Sequence, residues 1–175
     1  MLVNEILKID YFEDEKTLNL FQETSSMKNN GFATKEQIIK ILKWKSPRPL
    51  NYYKSNSEKE IIEITKLAFS VENEQLKFHI LTALKGVNFP SASAILMFYD
   101  RGNYPVLDIR VWQQLYNFGL VSENPKGQNF SLNQIEIFLK VIRNLSNNLS
   151  LDARNIEKRI FDFDKKIREG KLYKS

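Results

Sequence analysis

The apolar residues of this 175-residue chain recur at intervals of three and four along almost its whole length, and few stretches alternate strictly between apolar and polar residues. Intervals of three and four place side chains on one face of an α-helix, whereas strict alternation is typical of a half-buried strand. The sequence therefore predicts an all-α fold. We expect about eight helices in a single compact helical domain over residues 1–175.

Three capping boxes predict where helices begin. In a capping box, a Ser or Thr side chain accepts a hydrogen bond from the first turn, and a Glu or Gln three residues later bonds back to the cap. The chain contains three of these motifs: Thr34 with Gln37, Ser57 with Glu60, and Ser131 with Gln134. The apolar spacing predicts further helices over about 3–23, 73–84, 90–99, 109–118 and 151–167.

The chain has no cysteine and a single histidine, His79. The lack of cysteine excludes thiolate zinc sites, cysteine-held iron–sulfur clusters, disulfides and a cysteine nucleophile. One histidine leaves no multi-histidine metal site, and its place between two apolar residues is typical of a packed or surface histidine. We therefore expect no metal site built on these side chains, and no organic cofactor is implied.

No segment of the sequence resembles a membrane span or a secretory signal. The longest uncharged stretch, residues 86–99, has 14 residues, which is too few to cross a bilayer as a helix. The first residues lack a basic region before an apolar run. We expect a soluble, cytoplasmic protein with no membrane partner, associated with the nucleoid if the cell is bacterial. The sequence leaves the oligomeric state open, with a monomer favoured.

Positive charge is concentrated in two parts of the chain, although the net charge is only +5. Residues 31–56 carry six basic groups against Glu36 alone, and residues 150–175 carry eight basic groups against five acidic ones. Basic patches suit a polyanion such as DNA, because neutralised phosphates release counterions, while a solvated lysine-rich surface is the alternative. Within the second part, the surroundings of Asp162 and Asp164 indicate a solvated helix face rather than a metal site.

Residues 84–96 predict a helix, a tight turn and a second helix. The turn needs backbone conformations that Gly86 adopts freely and Asn88 tolerates better than most residues. Pro90 suits the first turn of the second helix, where its missing N–H has no partner. Backbone amides of such a turn, here Lys85 to Asn88 with Val87 between them, can hold a phosphate, although a plain turn between packed helices is the alternative.

Together with a downstream segment, this turn resembles the core of the helix-hairpin-helix DNA glycosylase superfamily, which includes the endonuclease III and 8-oxoguanine glycosylase families. The resemblance covers about residues 79–116, roughly a fifth of the chain. Two stretches carry it: Leu84-x-Gly86-Val87-Asn88-x-x-x-Ala92, and Pro105-Val106-Leu107-Asp108-Ile109-Arg110-Val111-Trp112. The resemblance implies a helix-hairpin-helix core over about 73–118 and duplex DNA as the partner.

By this resemblance, Asp108 matches the catalytic aspartate of the superfamily. Cleavage of an N-glycosidic bond builds positive charge on the sugar, which a carboxylate stabilises, or the carboxylate activates the incoming water. Asp108 can instead serve only as the N-cap of the helix that follows it. Arg110, near the start of that helix, either contacts the DNA backbone or pairs with an acidic neighbour.

The chain departs from the superfamily pattern in three respects. Pro90 occupies the position where bifunctional members carry a Schiff-base lysine, so a lyase reaction by that route is not expected. Asn88 replaces the second glycine of the hairpin, which adds a side chain close to the phosphate. The cysteines that hold an iron–sulfur cluster in some members are missing. Lys85 can point at a phosphate, but it is out of register with the missing lysine.

A second group of candidate residues precedes the turn. Lys45 and Arg48 are candidates for DNA binding, and Trp44 and Tyr52 for stacking on a flipped base, because enzymes that act on a base in a duplex extrude it and stack it on planar groups. An ordinary core position is the alternative for Trp44.

We therefore expect a DNA-binding protein that resembles a monofunctional DNA glycosylase. It would hydrolyse the bond between deoxyribose and a flipped damaged or modified base, the first step of base-excision DNA repair, without strand cleavage. A non-catalytic helix-hairpin-helix module that only binds DNA is the main alternative. A protein-interaction domain on the same helical scaffold is a third.

Overall fold

Helices account for all the regular secondary structure of residues 1–169, the part of the chain that the computed structural model describes. They are α1 (Leu2–Ile6), α2 (Glu15–Thr24), α3 (Ser26–Asn30), α4 (Lys35–Lys45), α5 (Leu50–Lys54), α6 (Glu58–Ser70), α7 (Glu74–Leu81), α8 (Phe89–Tyr99), α9 (Ile109–Asn117), α10 (Leu132–Leu149) and α11 (Ala153–Ile167). The prediction of an all-α fold is confirmed. Three of the helices, α1, α3 and α5, have only five residues each. Of the others, all except α2 correspond to predicted helices.

The capping boxes are formed as the sequence predicts. Thr34, Ser57 and Ser131 each accept a hydrogen bond from the backbone N–H three residues later, and the Gln or Glu at that position accepts one from the backbone of the cap. Each box satisfies donors that a helix start leaves without a partner. The starts of α4, α6 and α10 are therefore set by local sequence.

The helix expected over residues 3–23 is wrong, since two helices separated by a loop occupy this range. The carboxylate of Asp14 accepts a hydrogen bond from the backbone N–H of Thr17 at 2.8 Å and begins α2. Arg159 of α11 donates to the backbone carbonyls of Ile6 and Ile9, at the end of α1 and just after it. The cap at Asp14 starts a separate helix, and the contacts from Arg159 hold the end of α1, so the chain forms two short helices where the apolar spacing predicted one.

α8 lies at the centre of the core. Eight of its eleven residues, Ser91 to Phe98, are buried, so the helix is covered on all sides. Helices α2, α4 and α7 pack against it, and small residues such as Ala92 and Ala94 allow a close approach. Because α8 is central and buried, it provides a fixed support for the loop that follows it.

The loop between α8 and α9 is held from both sides. Backbone N–H groups of Ala153 and Arg154, at the start of α11, donate to the carbonyls of Gly102 and Arg101. Tyr104, Pro105, Val106 and Leu107 are buried. Consequently the loop holds Asp108 in a fixed place.

Of the helices within residues 1–169, none combines the length and the apolar character that a bilayer crossing requires.

Candidate functional site

The turn between α7 and α8 is exposed at its tip and anchored at its base. Gly86 has φ +84°, in the left-handed region, as expected for the turn. The amide side chain of Asn56, just after α5, both donates to the carbonyl of Lys85 at 3.1 Å and accepts from its N–H at 2.8 Å. Lys85, Gly86 and Asn88 are exposed, whereas Val87 is buried and fixes the turn to the core.

Two details of this turn differ from the sequence-based expectations. α7 ends at Leu81 rather than near residue 84, and irregular turns follow it. Asn88 does not adopt a left-handed backbone, because its φ is −105°. Its side-chain oxygen accepts a hydrogen bond from Ser91 N–H at 3.0 Å and caps α8. Asparagine at this position is therefore explained by helix capping rather than by positive φ.

The loop that carries Asp108 is held against α8. Ser93 of α8 donates to the carbonyl of Pro90 and accepts a hydrogen bond from Leu107 N–H at 2.8 Å. Asp108 Oδ1 accepts from Arg110 N–H at 2.9 Å and caps α9, so the capping role is confirmed. The turn and the aspartate, which carry the resemblance in sequence, are thus joined through α8.

The second carboxylate oxygen of Asp108 faces Lys45, the last residue of α4. Lys45 Nζ lies 2.9 Å from Asp108 Oδ2, and the two side chains are 15% and 23% exposed, respectively. The ammonium therefore forms a partly buried ion pair with this carboxylate, although the sequence analysis placed Lys45 among the DNA-binding residues. Their separation of 63 positions along the chain hides this pairing from sequence inspection.

A cleft of about 270 Å³ opens beside the ion pair. Its walls come from the segment before α2, from the end of α4, from the loop before α9 and from α11. The lining residues are Glu13, Asp14, Thr17, Trp44, Lys45, Val106, Asp108, Arg154, Glu157, Lys158, Phe161, Asp162 and Lys165. Two aromatic side chains and several charged groups thus surround the carboxylate of Asp108.

A buried charge network forms the floor of this cleft. Arg154 binds Glu13 through two nitrogens, at 2.7 and 3.1 Å, and binds Glu157 at 2.5 Å. Glu157 also accepts a hydrogen bond from Val106 N–H at 3.3 Å. Burial raises the pKa of Glu157, the charge of Arg154 lowers it, Asp108 raises it further, and the net pKa lies above its usual value. The floor therefore couples the loop before α9 to α11.

The structure separates the two base-stacking candidates. Trp44 lines the cleft, donates its indole N–H to Thr17 at 3.0 Å, and packs edge-on against Phe98. Tyr52 is 65% exposed and does not line the cleft. Its Cβ lies against Gly86 instead, so it covers the turn. Arg48 is exposed in the segment between α4 and α5.

Arg110 forms the acidic pairing that the sequence analysis offered as one of its two roles. Its guanidinium binds Asp164 Oδ2 at 2.9 Å. Asp164 is fully buried and also accepts hydrogen bonds from Gln114 and Arg168, so the expectation of a solvated helix face is wrong for this residue. Three donors replace the water that burial removes from the carboxylate.

Most residues that line the cleft were not predicted as site residues from the sequence, and Glu157 and Phe161 are two of them. Glu157 and Phe161 lie on α11, whose spacing marks apolar positions but does not reveal a cleft-facing phenylalanine or a buried glutamate. The only feature of the sequence that could have indicated these residues is the density of charged residues on a helix that also carries many apolar ones.

Among residues 1–169, no group of three or more acidic or histidine side chains is arranged to hold a metal ion.

Comparison with known protein families, with other characterised proteins and with solved structures finds no match. The resemblance to the glycosylase superfamily therefore stays a prediction that rests on residues 79–116.

Proposed function

We propose that the protein binds duplex DNA through the α7–α8 turn and hydrolyses the N-glycosidic bond of a flipped base in the cleft beside Asp108. One observation carries this proposal. A partly exposed carboxylate opens into a cleft of about 270 Å³, and Ser93 links its loop to the helix that follows the exposed turn. A phosphate held at the turn would then lie close to a sugar placed at the carboxylate.

The turn supplies the proposed backbone contact. Its tip is exposed at the positive end of the α8 helix dipole. Pro90 has no N–H and Ser91 N–H is bound by Asn88, so the backbone N–H groups of Gly86 and Asn88, in the turn itself, are the donors proposed for an anion. These contacts read no base, so they position the duplex without selecting its sequence. Lys85 adds a positive charge at the same place.

The cleft supplies the proposed chemistry. As the glycosidic bond breaks, its electron pair leaves with the base, and positive charge develops on the sugar close to the Asp108 carboxylate. Water then adds to C1′ and gives up a proton, which returns to the departing base through solvent. Trp44 and Phe161 provide the planar walls on which an extruded base can stack.

The decisive experiment measures abasic-site formation on duplexes that carry uracil, alkylated, oxidised or hypermodified bases. We compare the wild-type protein with Asp108→Asn, which retains an N-cap side chain for α9. We expect the variant to lose about 100-fold or more of the rate, the size of a general acid–base contribution. Asp162→Asn, which removes a different carboxylate of the same cleft, is the matched control and should keep its activity.

One observation favours a non-catalytic DNA-binding module as the second candidate. Each oxygen of Asp108 already has a donor, from Arg110 N–H and from Lys45, which is the pattern of a purely structural carboxylate. If the wild-type protein binds these duplexes with a strong salt dependence but releases no base from any of them, this second function replaces the first.

A further inference from the structure

Lys77 of α7 is the only buried lysine in residues 1–169, with 7% of its surface exposed. Four other charged residues of this part of the chain are buried, and each of them forms an ion pair: Glu13, Arg154, Glu157 and Asp164. The Lys77 ammonium lies over the ring of Tyr104, 5.4 Å from its centroid. No carboxylate or other hydrogen-bond acceptor of residues 1–169 binds it.

Stability of the fold does not account for a lysine at this position. Lysine is almost never buried in proteins without a partner, because burial removes water from the charge and ordering the long side chain costs conformational entropy. The contact with the ring of Tyr104 offsets part of this cost, but Arg143 lies against the same ring at 5.0 Å. A buried ammonium that the protein leaves without a partner therefore indicates a ligand.

Lys77 lines a groove of about 380 Å³ on the surface, a volume in the range of small-molecule sites. The end of α6, parts of α7 and α10, and the loop after α8 form this groove. The lining residues are Phe69, Glu74, Lys77, Tyr99, Asp100, Asn103, Tyr104 and Arg143. Lys77 Nζ keeps contact with solvent, since the Tyr53 hydroxyl is the only fully enclosed side-chain N or O atom without a partner in residues 1–169.

The acidic residues of the groove are already paired with other cations. Glu74 Oε1 lies 2.8 Å from a guanidinium nitrogen of Arg143. Asp100 Oδ2 lies 3.2 Å from Lys28 Nζ, at the edge of the groove. Lys77 is therefore the one charged residue of the groove without a counter-ion within residues 1–169, and an anion would supply it.

Aromatic rings form much of the groove wall. Tyr99 stacks on Phe69 with ring centroids 4.0 Å apart, and Tyr104 lies beneath the charged ends of Lys77 and Arg143. An inorganic anion would leave these rings exposed to water, whereas the apolar body of an organic anion would cover them. The walls and the charge together favour a small organic anion over an inorganic one.

We propose that this groove binds a small organic anion, whose phosphate or carboxylate group lies against Lys77 Nζ. No residue lines both this groove and the cleft beside Asp108, so the inference does not depend on the proposed function. The DNA backbone is a second source of the same phosphate charge. The experiment therefore includes duplex DNA as a separate probe.

The test follows the backbone amide chemical shifts of the protein by NMR while phenyl phosphate or benzoate is added. Benzyl alcohol, which has the ring but no charge, is the neutral probe. We expect the two anions to shift the amides of Lys77, Tyr104 and Arg143 in a saturable way. Benzyl alcohol and duplex DNA should leave these three amides unchanged.

Lys77→Met is the informative variant, because it keeps an unbranched side chain and removes the charge. We expect its affinity for phenyl phosphate to fall at least about 10-fold, the size of one lost charge-assisted hydrogen bond. Lys66→Met is the matched control, since Lys66 lies on α6, is exposed and does not line the groove. The control removes the same net charge and should bind like the wild-type protein.

Several results would overturn the inference. Benzyl alcohol that binds as well as the anions, or a Lys77→Met variant with unchanged affinity, would show that the ammonium binds no ligand. Anion-induced shifts confined to Gly86 and Asn88 would place the anion at the α7–α8 turn instead. Groove shifts with duplex DNA but not with phenyl phosphate would assign the groove to DNA. If Lys77→Met does not fold, the comparison of the anions with benzyl alcohol on the wild-type protein decides.

Discussion

At the scale of single residues, Gly86 combines a left-handed backbone with a crowded environment. A Cβ at this position would lie 2.9 Å from Tyr52 Cβ and 3.0 Å from the ring of Tyr53. Gly31, with φ +71°, serves as the control, because a Cβ added there would have no neighbouring atom within 4 Å. Comparing alanine substitutions at Gly31 and Gly86 therefore separates the free-energy cost of a positive φ from the cost of steric crowding.

We expect Gly31→Ala to lower the free energy of unfolding by about 1–2 kcal/mol, the cost of a left-handed backbone with a side chain. Gly86→Ala should lower it further, because α5 must also shift away from the turn. Urea unfolding followed by circular dichroism measures both values. Equal losses for the two variants would contradict the close packing of α5 on the turn.

Asp164 makes the stability of the fold depend on pH. Burial raises its pKa, but hydrogen bonds from Arg168, Gln114 and Arg110 lower it more strongly, so the net pKa lies below the ordinary value of 3.8. A carboxyl whose pKa falls on folding stabilises the native state above its unfolded pKa. That stabilisation is lost as the pH falls through the lower, folded value.

We therefore expect wild-type protein to exceed Asp164→Asn in unfolding free energy at neutral pH, with a difference that shrinks as the pH falls below about 4. Urea titrations at several pH values, for both proteins, provide the measurement. A difference that stays constant down to about pH 2 would show that the ionised carboxylate contributes nothing.

At the scale of helices, Ser93 connects α8 to the loop that carries Asp108. Its hydroxyl is buried, and Leu107 N–H has it as its hydrogen-bond acceptor. We expect Ser93→Ala to lower the unfolding free energy by about 1–3 kcal/mol, because Leu107 N–H is left buried without a partner. Faster amide hydrogen exchange at Leu107 checks the cause directly.

Ser57→Ala is the comparison, since it removes an exposed cap of α6 and leaves the loop intact. That variant should lower the free energy of unfolding by about 1 kcal/mol and leave amide hydrogen exchange at Leu107 unchanged. If Ser93→Ala also leaves this exchange unchanged, then the hydroxyl does not hold the loop.

Helix starts could be predicted from the sequence where a cap lies within three residues of its partner. Thr34, Ser57 and Ser131 are such caps, and Asp14 is another that the apolar spacing over 3–23 concealed. The end of α1 depends instead on Arg159, about 150 residues away, and no local signal announces it. Local hydrogen bonds are readable in sequence, whereas distant ones are not.

At the scale of the whole molecule, Arg154 joins the segment before α2 to α11. Its side chain is 5% exposed and binds Glu13 and Glu157, which are also buried. We expect Arg154→Met to lower the unfolding free energy by about 3–5 kcal/mol, because two carboxylates are left buried without a cation. Thermal unfolding and chemical denaturation measure this loss.

Adding Glu13→Gln and Glu157→Gln to Arg154→Met should recover part of the stability, since the unpaired charges are then removed. A triple variant that is no more stable than Arg154→Met would mean that lost packing, rather than buried charge, causes the effect.

The candidate site was only partly predictable for a related reason. Asp108 follows a recognisable sequence pattern, and the turn that accompanies it lies nearby in the chain, so both were found. Lys45, Glu157 and Phe161 reach the cleft through contacts between α4, α11 and the loop before α9. Such contacts depend on how the helices pack, which periodicity alone does not specify.

Because α11 forms one wall of the cleft, the cleft cannot form until the ribosome has synthesised this late helix. A nascent chain that has left the ribosome only as far as α9 contains the turn and Asp108 but lacks Arg154, Glu157 and Phe161. A contact across 141 positions forms late, because its second residue must first be synthesised and because closing so long a loop costs entropy. An unfinished chain therefore has no cleft in which to hold a base.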